Sequence, residues 1–205
     1  MNTQDPHIYL TSASPRRREL LKQIGVHFEV LLLRSTPDRM DVDETPLPGE
    51  MPEEYVQRLA RAKAESGSLY SIARRLPKFP ILAADTTVIL DDQIMGKPAG
   101  TEGAHEMLRR LSGRTHRVLT AVAMAFGARC EISLSSTSVE FRELTEEEIR
   151  HYVATGEPLD KAGAYAIQGQ AAIFIARIEG SYSGVMGLPL FETSQLLQKF
   201  NVAVL

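Results

Sequence analysis

Apolar residues recur along this chain in two alternating styles, short unbroken runs and spaced stripes. An unbroken run of four to eight suits a buried strand, whereas three-to-four spacing suits a helix with one face inward. Ile8 to Ala13 is the first run. Ser14-Pro15 then reads as a helix cap followed by Pro at the first helical position, and that helix carries Leu20, Leu21 and Ile24 to a stop at Gly25. Phe28 to Leu33 predicts a second strand, apolar enough to be central. Pro37 to Pro52 is acidic and holds four Pro, so it reads as an exposed loop. A long helix follows from Glu53 to Arg75, with Tyr55, Val56, Leu59, Ala60 and Lys63 on or near one face and a break allowed at Gly67.

The second half continues the alternation. Ile81 to Ala84 is a buried run, Thr87 to Asp92 extends it into a turn, and Ile94-Met95 returns. Thr101 is placed as the cap of a helix bearing Ala104, Met107, Leu108 and Leu111 and ending at Gly113. Arg117 to Phe126 and Ile132 to Phe141 predict a hairpin around Gly127. Patterning in its second strand is weak, because Ile132 and Leu134 share their parity with Ser136, Ser138 and Glu140. Thr145 and Glu148 form a capping box for a helix ending at Gly156. Ala171 to Ile178 reads as a strand and Leu190 to Phe200 as a last amphipathic helix. Helices between early strands, with a hairpin in the middle, predict a mixed α/β sheet. No internal repeat or separating linker interrupts it.

Composition narrows the function classes. The chain has 205 residues, 23 Lys+Arg against 26 Asp+Glu and a formal net charge of −3. That length buries a sizeable core without a disulfide or metal staple. The lone Cys130 forms neither an internal disulfide nor a Cys-rich zinc site. Met1 to Pro6 lacks a basic stretch leading into an apolar run, and no apolar run approaches the ~20 residues of a membrane-spanning helix. A soluble cytoplasmic protein is expected, with no membrane partner. The acidic balance excludes an unselective binder of long nucleic acids but not a local pocket for a small anion.

Several clusters carry candidate chemistry. In Thr11-Ser12-Ala13-Ser14-Pro15-Arg16-Arg17-Arg18 a strand runs into a helix start, where free N–H groups and the helix dipole favour an anion. Arg is unfavourable at that end of a helix, so three in a row call for a negative ligand, although consecutive residues splay too far for all three to meet it. Asp85 ends a buried run, where α/β sheets place ligands, and reads either as a base, as a metal ligand or as a turn-forming cap. Lys97 precedes Pro98, which keeps it extended; by itself it reads as an ordinary loop residue. His116 has an imidazole able to titrate near neutrality but no neighbouring ligand, so no metal is assigned to it. Gly156 to Gly169 packs charged, small and amide side chains together, and Gln168 has donors and an acceptor suited to a base edge. Gly180 to Pro189 is a weaker candidate for a pocket lining. The chain has no Walker A motif, no G-x-G-x-x-G and no nucleophile elbow.

Taken together, S-A-S-P-R-R-R-E-L-L, D-E-T-P, Y-V-Q-R-L-A-R-A-K-A, A-A-D-T-T-V, G-K-P, L-S-G-R-T-H-R-V-L-T-A-V, G-E-P-L-D-K-A-G-A-Y-A-I-Q-G and G-S-Y-S-G-V-M-G-L-P-L resemble, in order, the Maf family of nucleoside triphosphate pyrophosphatases. The match runs from Tyr9 to about Leu197. It implies a mixed twisted sheet in an elongated, two-lobed single domain, residues 1–205, around a central cleft, similar to inosine triphosphate pyrophosphatases. It implies hydrolysis of a triphosphate to monophosphate and pyrophosphate with Mg²⁺ or Mn²⁺. Within it, Asp85 matches the acid treated as proton acceptor and Ser12, Arg16 and Arg17 match the phosphate-binding motif. Lys63 and Lys97 match bases on the triphosphate, and Glu44 matches an acid near the metal, shared with Asp85. Arg16, Thr86 and Gln168 resemble the branch that favours dTTP and UTP rather than 7-methyl-GTP. The resemblance also extends to homodimers and to proteins of septum formation and cell-division arrest, which leaves a non-enzymatic regulator as the rival reading. Acids in the 38–54 loop and the 143–148 turn supply much of the negative charge, so the mean of −3 conceals a basic cleft.

Overall fold

The computed structural model describes residues 7–36 and 39–204. Among them are nine strands and six α-helices: β1 (His7–Leu10), α1 (Pro15–Gln23), β2 (His27–Val30), β3 (Ser35–Thr36), β4 (Arg39–Met40), α2 (Pro52–Ala73), β5 (Ile81–Leu90), β6 (Gln93–Met95), α3 (Gly100–Leu111), β7 (Thr115–Phe126), β8 (Arg129–Phe141), α4 (Glu146–Ala154), β9 (Ile175–Glu179), α5 (Tyr182–Met186) and α6 (Leu190–Lys199). Seven strands form one mixed sheet in the order β2-β1-β5-β7-β8-β9, with β6 paired to β5. β1 is parallel to both β2 and β5, while β5–β6 and β8–β9 are antiparallel. This is the mixed α/β architecture expected from the alternation of runs and stripes. No helix among the described residues is long and apolar enough to cross a membrane.

The chain divides into two compact units. The first comprises the described residues of Met1–Asp85, Thr120–Leu134 and Gly187–Leu205; the second comprises Thr86–Leu119 and Ser135–Met186. In the first, parallel pairing of β1 with β2 and with β5 requires crossovers, which α1 and α2 supply. Ile8, Leu10, Leu21, Leu59, Ala60, Ala64, Leu82 and Ala84 are buried there. α2 runs unbroken through Gly67, because glycine lets it approach the sheet closely: a Cβ there would strike the Thr11 side chain and lie 2.8 Å from Ile81 Cγ2. β2 sits at the sheet edge with His27, Glu29 and Val30 exposed, not at the centre, which suits its two polar residues. The acidic loop is exposed from 43 to 49, and its first residues 37–38 lie outside the described residues.

The second unit packs α3 and α4 over Val88, Leu90, Val118, Val139 and Phe141. The Thr145 box is formed in full, its hydroxyl accepting from the Glu148 N–H (3.2 Å) and Glu148 accepting from the Thr145 N–H (2.9 Å). Asp91 and Asp92 both take positive φ, the conformation a tight two-residue turn demands between β5 and β6. Thr101 lies inside α3 rather than capping it, and residues Gln170–Phe174 form a 3₁₀ turn before β9. In β8 the buried parity is Ser135, Thr137, Val139 and Phe141, opposite to the Ile132–Leu134 set. Thr137 is tolerated inside because its hydroxyl bonds Ser181 in both directions, accepting from N–H at 2.9 Å and donating to O at 3.3 Å.

His116 does not titrate near neutrality. It is buried edge-on between the Phe141 and Tyr165 rings and bonds the Tyr165 hydroxyl at 2.8 Å. Burial drives its pKa down from 6.5 to about 4. Below pH 6.5 the unfolded chain therefore takes up a proton that the folded chain refuses. Stability falls as pH drops from 6.5 to about 4, by about 3 kcal/mol from this group. Urea unfolding at pH 7 and pH 4.5 measures this loss, and His116→Gln is expected to flatten it. An unchanged slope in that variant would assign the acid sensitivity elsewhere.

Candidate functional site

β1 is followed in sequence by β2 on one side of it, while β5 pairs on the other. Such a reversal of winding opens a crevice at the carboxyl ends of the strands, where α/β sheets bind ligands. The register sets Leu10 opposite Leu82, and β5 continues past the end of β1, so Asp85 and the Thr11–Ser14 segment both lie beyond that end. Five of the expected residues come together in this part of the first unit, joined by a sixth from the acidic loop.

Thr11 extends the β1–β5 pairing by donating its N–H to Leu82 O (2.9 Å), which fixes the backbone that leads to Ser12. The buried Ser12 hydroxyl accepts from the Ser14 N–H and from Arg17 Nη1, each at 3.2 Å. Arg17 Nε donates to Gly187 O at 2.7 Å, so the weak Gly-rich segment before α6 supplies an anchor for this guanidinium. Ser14 caps α1 by position, without a side-chain bond to the helix, and Pro15 occupies its first turn. Arg16 and Arg18 are half-buried on the same turn. Burial pulls the Arg17 pKa down and Asp85 pulls it back up; a guanidinium stays charged under that opposition.

Lys63 is the centre of the arrangement. Its ammonium lies 2.7 Å from Asp85 Oδ1 and 2.6 Å from Glu44 Oε1, so one cation bridges both carboxylates. Asp85 is buried and Glu44 exposed. Burial raises the Asp85 pKa above its ordinary value, despite the opposing pull of Lys63 and then Arg17, while Glu44 adds to the rise. An acid held this way takes up a proton more readily than a surface aspartate. Convergence of two carboxylate oxygens on one small cation also tests whether the pair fits a divalent metal. Among the described residues no group of three or more His, Cys, Asp or Glu is assembled for a metal. Two carboxylates completed by phosphate oxygens and water are the donor set that Mg²⁺ ordinarily takes, so the residues fit the ion.

The remaining expected residues belong to the second unit. Thr86 follows Asp85 on β5 and is half-buried. Lys97 is exposed between Gly96, whose carbonyl accepts the Gly163 N–H at 3.1 Å, and the buried Pro98. Gln168 is exposed on a turn closed by Gly169 N–H to Ala166 O (3.0 Å). Behind that turn Glu157 accepts from the Tyr152 hydroxyl (2.8 Å) and the Gln170 N–H (3.2 Å), and a Cβ at Gly169 would collide with its carboxylate. This support, and the contacts of Tyr55, Arg58 and Glu50 with the acidic loop, escape the sequence reading. An aromatic and an Arg three residues apart after a Pro-rich acidic loop are the only signal that could have exposed the latter.

A family model described as Maf-like protein matches residues 7–200. The "dTTP/UTP pyrophosphatase" of Aromatoleum aromaticum is 60% identical over 196 residues, covering 95% of each chain. The proteins of the same name from Nitrosospira multiformis and Nitrosomonas europaea are 57% and 56% identical; they cover 100% and 96% of this chain and 99% and 96% of their own.

Proposed function

The chain belongs to the Maf family, and from that premise we propose that it is a pyrophosphatase that hydrolyses dTTP and UTP to the monophosphate and pyrophosphate. The observation that carries this reading is the bridging of Asp85 and Glu44 by Lys63 at the β1–β5 strand ends, within electrostatic reach of Arg17. A triphosphate has about four negative charges to neutralise and a phosphorus to present to water. Ser12 and the first turn of α1 offer hydroxyl, amide and guanidinium donors to phosphate oxygens, with Arg16 and Arg17 supplying charge. Glu44 and Asp85 would hold Mg²⁺ or Mn²⁺, which when bound supplies Lewis-acid polarisation and a template.

Asp85 accepts the proton of the attacking water. The new bond forms between that oxygen and the α-phosphorus, the α–β anhydride bond breaks, and pyrophosphate leaves with its charge met by Lys63, Arg16 and Arg17. By resemblance to the family's motifs, Lys97 is assigned a further positive charge for the triphosphate, and Arg16, Thr86 and Gln168 the preference for pyrimidines. The reading includes a cytoplasmic homodimer with no long nucleic-acid partner, and light scattering measures the dimer.

A panel of triphosphates with Mg²⁺ or Mn²⁺ tests the reaction, with pyrophosphate expected from dTTP and UTP. Release of orthophosphate alone would replace this reading with a phosphatase. For the base, Gln168→Glu is expected to change the dTTP-to-GTP ratio of kcat/KM about tenfold or more while pyrophosphate remains the product. An unchanged ratio would remove Gln168 from base recognition.

A further inference from the structure

Glu44 sits on an exposed segment without regular structure, yet its carboxylate is expected to meet a metal ion at a defined place. A chain free to wander would lose that placement to conformational entropy. What holds it is a set of contacts from α2. The carbonyls of three consecutive residues centred on Glu44 are all bound by that helix. Asp43 O accepts from Arg58 Nη1 (3.4 Å), Glu44 O from the Tyr55 hydroxyl (3.0 Å) and Thr45 O from Arg58 Nη2 (3.1 Å). The same Arg58 grips the far end of the loop, with Nε 2.5 Å from Glu50 Oε1 and Nη2 2.8 Å from Glu50 Oε2. Glu50 in turn accepts from the Leu47 N–H at 3.0 Å. Asp43 closes a local turn on the Thr45 N–H (2.9 Å), and Ser66 donates to Asp41 O (3.1 Å). Lys63, about two turns along α2 from Tyr55, takes the Glu44 carboxylate itself.

We infer that Arg58 and Tyr55 are positioning residues that set where the Glu44 carboxylate stands, so that the loop and α2 together form one side of the metal site. The inference rests on the reading of Glu44 as a metal ligand given above. Neither residue is asked to touch the nucleotide. Arg58 fits the task because its planar fork serves a carboxylate and two carbonyls at once, which an ammonium cannot do. The grip also survives acid, since Arg58 holds the Glu50 pKa down at about 2.

Outer contacts that orient a metal ligand typically alter metal affinity about 10- to 100-fold. Arg58→Met and Tyr55→Phe are therefore expected to raise the half-saturating Mn²⁺ concentration within about that range, with kcat at saturating Mn²⁺ changing far less. Uptake of Mn²⁺ in the presence of α,β-imido-dTTP, followed by electron paramagnetic resonance, reads the same loss without turnover. Glu44→Gln should show a rise of similar size. Added to it, Arg58→Met should have little further effect, because both changes remove one interaction. Arg58→Lys should recover only part of the affinity. If Arg58→Met does not fold, Tyr55→Phe, which removes a single hydroxyl, carries the test. Multiplying effects of Arg58→Met and Glu44→Gln, or a fall in kcat at unchanged Mn²⁺ affinity, would overturn the inference. A wild-type chain that binds Mn²⁺ but releases no pyrophosphate would overturn the proposed reaction and leave the Arg58–Glu44 coupling standing.

Discussion

Asp85→Asn is expected to lower turnover by about 10²–10⁴-fold, the usual cost of removing a general base, with dTTP affinity largely kept. The substitution preserves shape while removing the charge that accepts the proton of the attacking water and pairs with Lys63. Near-normal kcat would remove Asp85 from that role. The same variant carries an opposite expectation for stability. Burial holds the Asp85 pKa above its ordinary value, so the ionised form is disfavoured in the folded chain. For a carboxyl shifted upward, stability is lost as pH rises from the unfolded value through the folded one. Wherever Asp85 is ionised in the folded chain that cost is present, and Asp85→Asn removes it. The melting temperature at pH 7 is therefore expected to equal or exceed that of the wild type, as for other sites where placement of a charge serves activity at the expense of stability. A drop of several degrees would mean that the ionised Asp85 stabilises the fold.

Lys63→Met is expected to cost both activity and stability. Without the ammonium, less of the negative charge of Asp85 and Glu44 is compensated when the triphosphate arrives, and loss of one positioned donor at a developing charge typically costs about 10²–10³-fold. Breaking a buried pair costs about 3–5 kcal/mol when it leaves a charge behind. Lys63 retains some exposure and Arg17 still faces Asp85, so about 2–3 kcal/mol is the expected loss at pH 7. Its pH dependence identifies the cause. Removing Lys63 pushes the Asp85 pKa further up, so the deficit shrinks as pH falls and Asp85 takes a proton. Lys63→Met with Asp85→Asn should be more stable at pH 7 than Lys63→Met alone. Equal stabilities would show that Lys63 does not neutralise Asp85. Urea unfolding of the three variants at pH 7 and pH 5 makes the measurement.

Both expectations involve residues that the sequence marks individually, and the difference lies in what each does. Lys63 is visible on a helix face, Asp85 at the end of a buried run and Glu44 in an acidic loop, 19 to 41 positions apart along the chain. That they share one ammonium is invisible in any local pattern. Arg17 was legible as one of three Arg at a helix start, but its commitment to Ser12 and Gly187 was not, because the second partner lies 170 positions away. His116 misled for the same reason: its titration is set by Phe141 and Tyr165, which burial brings around it.

Local rules carried far where local physics decides. The caps at Ser14-Pro15 and Thr145–Glu148, the Gly25, Gly113 and Gly156 stops, the Gly127 hairpin and the ten-residue run of β5 each follow from backbone sterics or from a spacing within a few residues. The rules failed where a neighbour distant in sequence supplies the environment. β2 is at an edge because of the strand order, not because of its apolar content. The inward parity of β8 is tolerated at Thr137 because Ser181 meets its hydroxyl, and Gly67 belongs in α2 because Thr11 and Ile81 leave no room for a Cβ there.

By itself, then, the sequence determined a mixed α/β chain, the order of its elements, a helix start rich in arginine and, through its motifs, the family. Only the tertiary structure decided that Asp85 and Glu44 converge on Lys63, that burial raises one acid, and that Arg58 and Tyr55 hold the loop bearing the other. The reason is range. Helix periods, caps and turns are settled within a few residues, whereas a carboxylate's proton affinity and placement depend on charges and donors that meet only when distant segments fold together.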